Sequence, residues 1–291
     1  MQQPDLTEAI VELIRKTSSE LPEDVQYALE QARERELVST AGRGALVAIL
    51  RNTALAKQQS APICQDTGTL IFWAHYPDGW SQRKLAEQIR SAVAQATAKG
   101  YLRPNAVDPL TGKNSGTNLG EGFPVMHLEE HENSHLEVYL MLKGGGCENV
   151  SGTYSLPDNS LQADRDLAGI KRVVLHAIHK AQGFGCAPGI IGVGIGGDRD
   201  SSMRCAKLQL LRRLDDRNPH VALAAMETEL CEKANTLGIG PMGFGGKTTV
   251  LGVKAGWFHR LPASYFVSIA YMCWADRRRK LTWRDGRWNV E

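Results

Sequence analysis

The chain has 291 residues, 42% of them apolar and 23% charged, the make-up of a globular protein large enough to bury a substantial core. Its 34 Lys and Arg against 32 Asp and Glu leave a net charge of +2, so no basic excess marks a nucleic-acid binder. No run approaches the roughly 18 apolar residues that a membrane helix needs, and the start, MQQPDLTEAIVELIRK, lacks the regions of a secretory signal. A cytoplasmic protein is therefore expected. In that reducing setting, six scattered cysteines without a C-x-x-C pair are thiols rather than disulfides, and no zinc ribbon is present.

The first third is predicted helical. Val11, Leu13 and Ile14 mark one amphipathic helix, LPEDVQYALEQARERE a second with Pro22 at its start, and AGRGALVAILRNTALAKQQ a third. Turn residues then lead into a β-like run from Thr69 to Ala74. Ser81 to Ala98 returns to helical spacing with Ser81 as N-cap. Gly100 to Gly122 is dense in Gly, Asn, Pro and Thr, a long loop of the kind that often carries function. HLEVYLMLK alternates as a strand and runs into Gly144, Gly145 and Gly146.

A helix is expected over Leu161 to Gln182, then a glycine-threaded strand in FGCAPGIIGVGIGGDRD, and helices near Ser201–Leu214 and Val221–Leu237. TTVLGVKAGWFHR and YFVSIAYMCWADRRR read as β-rich, and Asp285-Gly286 between Trp283 and Trp288 signals a hairpin turn. Arg277 to Lys280 is the densest basic run, read as a solvated face or a local anion site. With no repeat and no linker, one mixed α/β domain over residues 1–291 is the simplest organisation, a helical part to about residue 60 and the chemistry between about 61 and 280.

Three cysteine segments share one form: ICQDTG at Cys64, GCAPG at Cys186 and MCWADRR at Cys273. Small or turn-forming neighbours let the backbone approach a bulky ligand and aim N–H groups at it, which favours thiolate and suits a metal–sulfur cluster. Burial as a small apolar residue is the alternative for each one taken singly. Gly192, Gly194, Gly196 and Gly197 suggest a nucleotide loop, but the G-x-G-x-x-G register is missing and this signal is weak.

Taken together, APICQDTG, LRPNAVDPLTGKNSGTN, KGGGCENVS, GCAPGIIGVGIGGD, LGIGPMGFGGKTTVLGVK and YMCWADRR stand in an order that resembles class I fumarases and the α subunits of L(+)-tartrate dehydratases, from about residue 40 to 280. The resemblance implies an α/β fold like the N-terminal domain of class I fumarases. It also implies a 4Fe-4S cluster held by Cys64, Cys186 and Cys273, and dehydration of a small 2-hydroxy dicarboxylic acid. Asp66 would be the catalytic proton shuttle, with capping of its own turn as the plainer role. Gln65, Arg103 and the amides of Gly144, Gly145 and Gly146 would bind substrate. Cys147 stands where relatives often carry serine and is read as a neighbour of the site; Cys205 and Cys231 are read as buried structural thiols.

Two departures qualify what carries over. The usual substrate histidine position is Leu261, with His259 two places earlier. Single-chain relatives also continue into a C-terminal domain supplying further active-site groups, so a separate β subunit in a two-α, two-β (α₂β₂) assembly is expected. The competing expectation is a non-catalytic or zinc-bound cysteine protein serving a structural role.

Overall fold

The computed structural model describes residues 3–291. From the N-terminal side run α1 (Thr7–Ser19), α2 (Glu23–Arg35), α3 (Ala41–Gln59), β1 (Thr69–Pro77), α4 (Gln82–Ala98), β2 (Val125–His131), β3 (Leu136–Lys143) and α5 (Gly145–Asn149). There follow β4 (Gly152–Ser155), α6 (Leu167–Ala181), β5 (Gly189–Ile195), α7 (Arg199–Gln209), α8 (Val221–Asn235), β6 (Val250–Trp257), β7 (Phe266–Met272), β8 (Arg277–Arg284) and β9 (Arg287–Val290). The class is α/β as expected, with three helices ahead of the first strand. The chain forms two compact units, both assembled from separated segments. The first holds the residues up to Pro22, Asn52–Gly144 and Arg277–Glu291, and the second Glu23–Arg51 and Gly145–Asp276.

In the first unit five strands lie in the order β2-β1-β3-β8-β9, with β1 and β2 parallel and the other pairs antiparallel. Alternation along β1 sends Leu70, Phe72 and Ala74 into a core with Ile10, Leu13 and Ile14 of α1 and Leu85, Ile89 and Val93 of α4. Each of the larger side chains contributes roughly 1.5–3 kcal/mol by leaving water. Ser81 caps α4 as expected, its hydroxyl accepting from the Lys84 N–H at 3.3 Å. The predicted hairpin is β8–β9, where Trp283 faces Trp288 and both turn residues have positive φ, 50° at Asp285 and 78° at Gly286. The sequence reading missed β2, an edge strand in which no residue is fully buried and the alternation is correspondingly faint.

The basic run at the start of β8 is not a solvated face. Arg277 is 1% exposed and Arg278 5%, where β8 pairs with the end of β3, Arg277 opposite Leu142 and Arg278 opposite Met141.

In the second unit the strand order is β4-β7-β5-β6, and β5 is parallel to β6 but antiparallel to β7. One face packs Ile191, Val193, Val253 and Ile269 against Val173, Val174 and Ala177 of α6 and Leu223, Met226 and Leu230 of α8. The other face carries the glycines. A Cβ at Gly192 would stand 2.1 Å from the Ala206 carbonyl oxygen, and one at Gly194 2.1 Å from that of Ser202, so α7 lies directly on β5. The glycine-rich run thus serves close helix packing rather than a nucleotide. Helix α6 starts later than Leu161 because Asp166 is its N-cap, accepting from Gly169 N–H at 2.7 Å, while Leu161 ends a short 3₁₀ turn. Likewise α7 begins at a capping box of Asp198 and Ser201.

Candidate metal centre and substrate site

In the first unit Cys64, Gln65 and Asp66 form a turn that leads directly into β1. Cys64 is half-buried, while Gln65 and Asp66 are exposed. The Asp66 carboxylate accepts the Gly68 N–H at 2.9 Å, an Asx-type closure in a turn where Gly68 has φ +82°. A side chain at Gly68 would meet the Lys143 backbone at 2.8 Å, so the turn lies against the end of β3. Asp66 therefore does cap its own turn, and it does so with an exposed carboxylate.

The long loop fastens to the same turn. The Thr67 hydroxyl, 1% exposed, accepts from the Arg103 N–H at 3.3 Å and from the Asn105 side chain at 2.8 Å. Asn118, also 1% exposed and left-handed at φ 58°, donates to the Arg103 carbonyl at 2.8 Å and accepts from Asn105 N–H at 2.7 Å. The Arg103 guanidinium stays exposed and reaches the Gln65 carbonyl at 3.5 Å. The first unit thus brings Gln65, Asp66 and Arg103 together. Thr67, Asn105 and Asn118, which position them, were not singled out by sequence. Their only trace is the asparagine and threonine content of the loop, which gives no partner.

In the second unit two of the cysteines meet at one end of the sheet. Cys186 sits just before β5 and Cys273 just after β7, whose antiparallel register pairs Ile190 with Met272. The Trp274 N–H donates to the Cys186 carbonyl at 3.3 Å. Cys186 is left-handed, with φ 56°, a conformation that costs a non-glycine residue about 1–2 kcal/mol and tends to persist at functional sites. Cys147 lies on α5, and its thiol donates to the Gly185 carbonyl at 3.9 Å. Tyr271, 1% exposed, gathers these thiols: burial pushes its phenol up, and the nearby Cys147, Cys273 and Cys186 sulfurs push it further the same way. Gly185 and Gly189 make room for that ring, since a Cβ at either would stand 2.4 or 2.5 Å from it.

The glycine run after β3 leads straight into α5. Gly144 is buried, and Gly145 and Gly146 are exposed at the start of α5. Leu261 is 72% exposed, and the exposed His259 ring lies tilted against Trp257 at 5.2 Å between centroids while its carbonyl accepts from Gly197 N–H. Cys205, on the buried face of α7, is 2% exposed and burial pushes its thiol up to about 11, and burial also raises the Cys231 thiol. Both behave as structural thiols.

All six cysteines are free of disulfides. Among the described residues no three His, Cys, Asp or Glu side chains stand close enough to grip a single metal ion. A cluster makes a different demand, because it spreads its thiolates over separate irons. Cys186, on a glycine- and proline-flanked turn, and Cys273, joined to it through main chain, fit that demand, and Cys64 stands on a turn beside Pro62 and Gly68.

These features define an α/β protein with thiol-bearing turns at sheet ends and an Arg–Asp–Gln cluster on one of them. The family model for fumarate hydratase (Fumerase) matches residues 7–282, and the chain belongs to that family. It is 51% identical over 276 residues to a protein of Geobacillus stearothermophilus provisionally named a class I fumarate hydratase, covering 94% of this chain and 54% of that one. The chain thus spans about half the length of that relative. It is 38% identical over 278 residues to a Methanocaldococcus jannaschii protein provisionally named an L(+)-tartrate dehydratase subunit alpha, covering 94% of this chain and 95% of that one. The L(+)-tartrate dehydratase subunit alpha of Escherichia coli K12 is 30% identical over 282 residues, with 95% and 90% covered.

Proposed function

We propose that the chain is the α subunit of a 4Fe-4S-dependent hydro-lyase that dehydrates a small 2-hydroxy dicarboxylic acid, malate or tartrate, and is complete only with a β subunit. The observation that carries this reading is the main-chain tie between the Cys186 and Cys273 turns, in a chain whose family match runs from residue 7 to 282. Cys64, Cys186 and Cys273 are its ligands to the cluster. When bound, such a cluster with one iron lacking a protein ligand supplies a Lewis acid for a hydroxyl that otherwise leaves poorly.

The chain's own residues do the rest. Arg103 binds a substrate carboxylate through its fork of donors, helped by Gln65 and by the exposed Gly145 and Gly146 amides beside Gly144. Asp66 passes a proton to the departing hydroxyl, and its bond from Gly68 N–H ties one carboxylate oxygen to the turn. The two relatives named as alpha subunits align over nearly their whole length, which supports a partner chain, and we propose an α₂β₂ assembly with it. Six thiols outside any disulfide accord with the cytoplasm, and no described helix is long and apolar enough to cross a membrane.

The test is anaerobic purification with the partner subunit, followed by assays on malate, both tartrate enantiomers and citramalate. A brown protein that bleaches in air and turns over one of these acids supports the reading. Colourless protein carrying stoichiometric zinc after anaerobic iron reconstitution defeats it and favours the structural alternative.

A further inference from the structure

Arg277 is the largest side chain in the molecule buried to within 1% of full enclosure. It opens β8 opposite Leu142, in the same sheet as β1. Its Nη1 donates to the main-chain carbonyl of Asp66 at 2.8 Å, and its Nε–H has no partner among the described residues. No carboxylate pairs with it there. Burying a guanidinium costs several kcal/mol unless it is fully paired, so an apolar residue would fill this place more cheaply if filling were all that was required.

The contact it does make falls on the turn that carries Cys64, Gln65 and Asp66. Three sets of bonds converge on that turn. Gly68 closes it onto the Asp66 carboxylate, the Arg103 segment holds Thr67 from the loop side, and Arg277 holds the Asp66 carbonyl from the sheet side. Arg277 alone of these lies outside the turn and the loop.

We infer that Arg277 is a positioning residue, whose buried guanidinium anchors the Cys64–Gly68 turn to the five-stranded sheet through the Asp66 carbonyl and so aims the side chains of residues 64–66. The inference deepens the hydro-lyase reading and rests on it for the chemistry, although the anchoring itself does not. Lysine keeps the charge at this site but has no planar fork, and methionine keeps the volume and loses both.

The experiment compares wild type, Arg277→Lys and Arg277→Met as anaerobically purified full-length chains. Peptide-resolved hydrogen exchange is read first, then kcat and KM with the partner subunit. Exchange at residues 64–68 is expected to speed up about tenfold or more in the methionine variant and less in the lysine variant, while peptides from β1 and β3 stay unchanged. The turnover number should fall by about 10- to 100-fold, the scale that a misplacement of about an ångström brings, with KM moving less than about threefold. Unchanged exchange at residues 64–68 overturns the inference. So does acceleration spread evenly over the sheet, which would mark Arg277 as a general stabiliser. If methionine prevents folding, the lysine variant decides by the same readings. Local acceleration in a chain whose wild type dehydrates no diacid leaves the anchoring standing and defeats the hydro-lyase reading alone.

Discussion

Gly185 and Tyr271 are in such close contact that a single methyl on the glycine would lie 2.4 Å from the ring. The phenol fills the space beneath the Cys186 turn, so the turn's geometry depends on having no side chain at residue 185. Gly185→Ala must push either the ring or the turn aside, at about 1–3 kcal/mol for overpacking of this kind. The expected outcome is a folded chain that retains well under half the wild-type iron after anaerobic reconstitution. Iron and sulfide analysis per chain checks it, and full occupancy with unchanged colour would show that the ring does not govern the turn.

Asp66→Asn separates the cap from the chemistry. Asparagine still offers an oxygen to the Gly68 N–H, so the turn should persist and the melting temperature should move little. The amide cannot pass a proton, and kcat should fall by about 100-fold or more. Steady-state kinetics on the reconstituted two-subunit enzyme would reveal the error if the variant kept its turnover.

Gly194→Ala and Gly44→Ala should act in opposite directions. The first drives a methyl to within 2.1 Å of a backbone oxygen of α7 and should destabilise by about 3 kcal/mol. The second lies in α3 with nothing within 4 Å, and removing glycine from a helix interior should stabilise by about 0.5–1 kcal/mol. Chemical denaturation of both variants checks the pair.

Alkaline stability should depend on Cys205. Its thiol ionises at about 11 in the fold, against an ordinary value of 9.0, because burial disfavours the thiolate. The folded state therefore holds its proton longer than the unfolded one. The contribution is whole below about pH 9 and is lost as the pH rises toward 11. Cys205→Ala should flatten that part of the stability–pH curve, and alkylation at pH 8 should reach Cys205 later than the half-buried Cys64.

Much of this was legible in the residues themselves. Ser81, Asp285-Gly286 and the apolar period of α1, α4 and α6 act locally, so their caps, turn and faces follow from short stretches of chain. The helix start that went furthest astray, at Leu161, did so because Asp166 competes as a cap five residues on. What stayed hidden depends on pairing between distant segments. Arg277 and Arg278 look like surface cations until β8 is known to pair with the end of β3. Gly192 and Gly194 resemble a nucleotide loop until α7 is placed on them. At the candidate site, Cys64 and its companions are visible through their family pattern. Asn118 and Thr67 have no comparable mark, since their role is only to bond Arg103 and Asn105.

The segmented make-up of the two units has a consequence for synthesis. The second unit's residues, 23–51 and 145–276, have all been made while the first unit still lacks β8 and β9. Until those strands emerge from the ribosome, β3 presents an unpaired edge, and the Asp66 carbonyl waits for an arginine that is translated more than two hundred codons later. The sheet of the first unit is thus completed only by the last-translated of its segments.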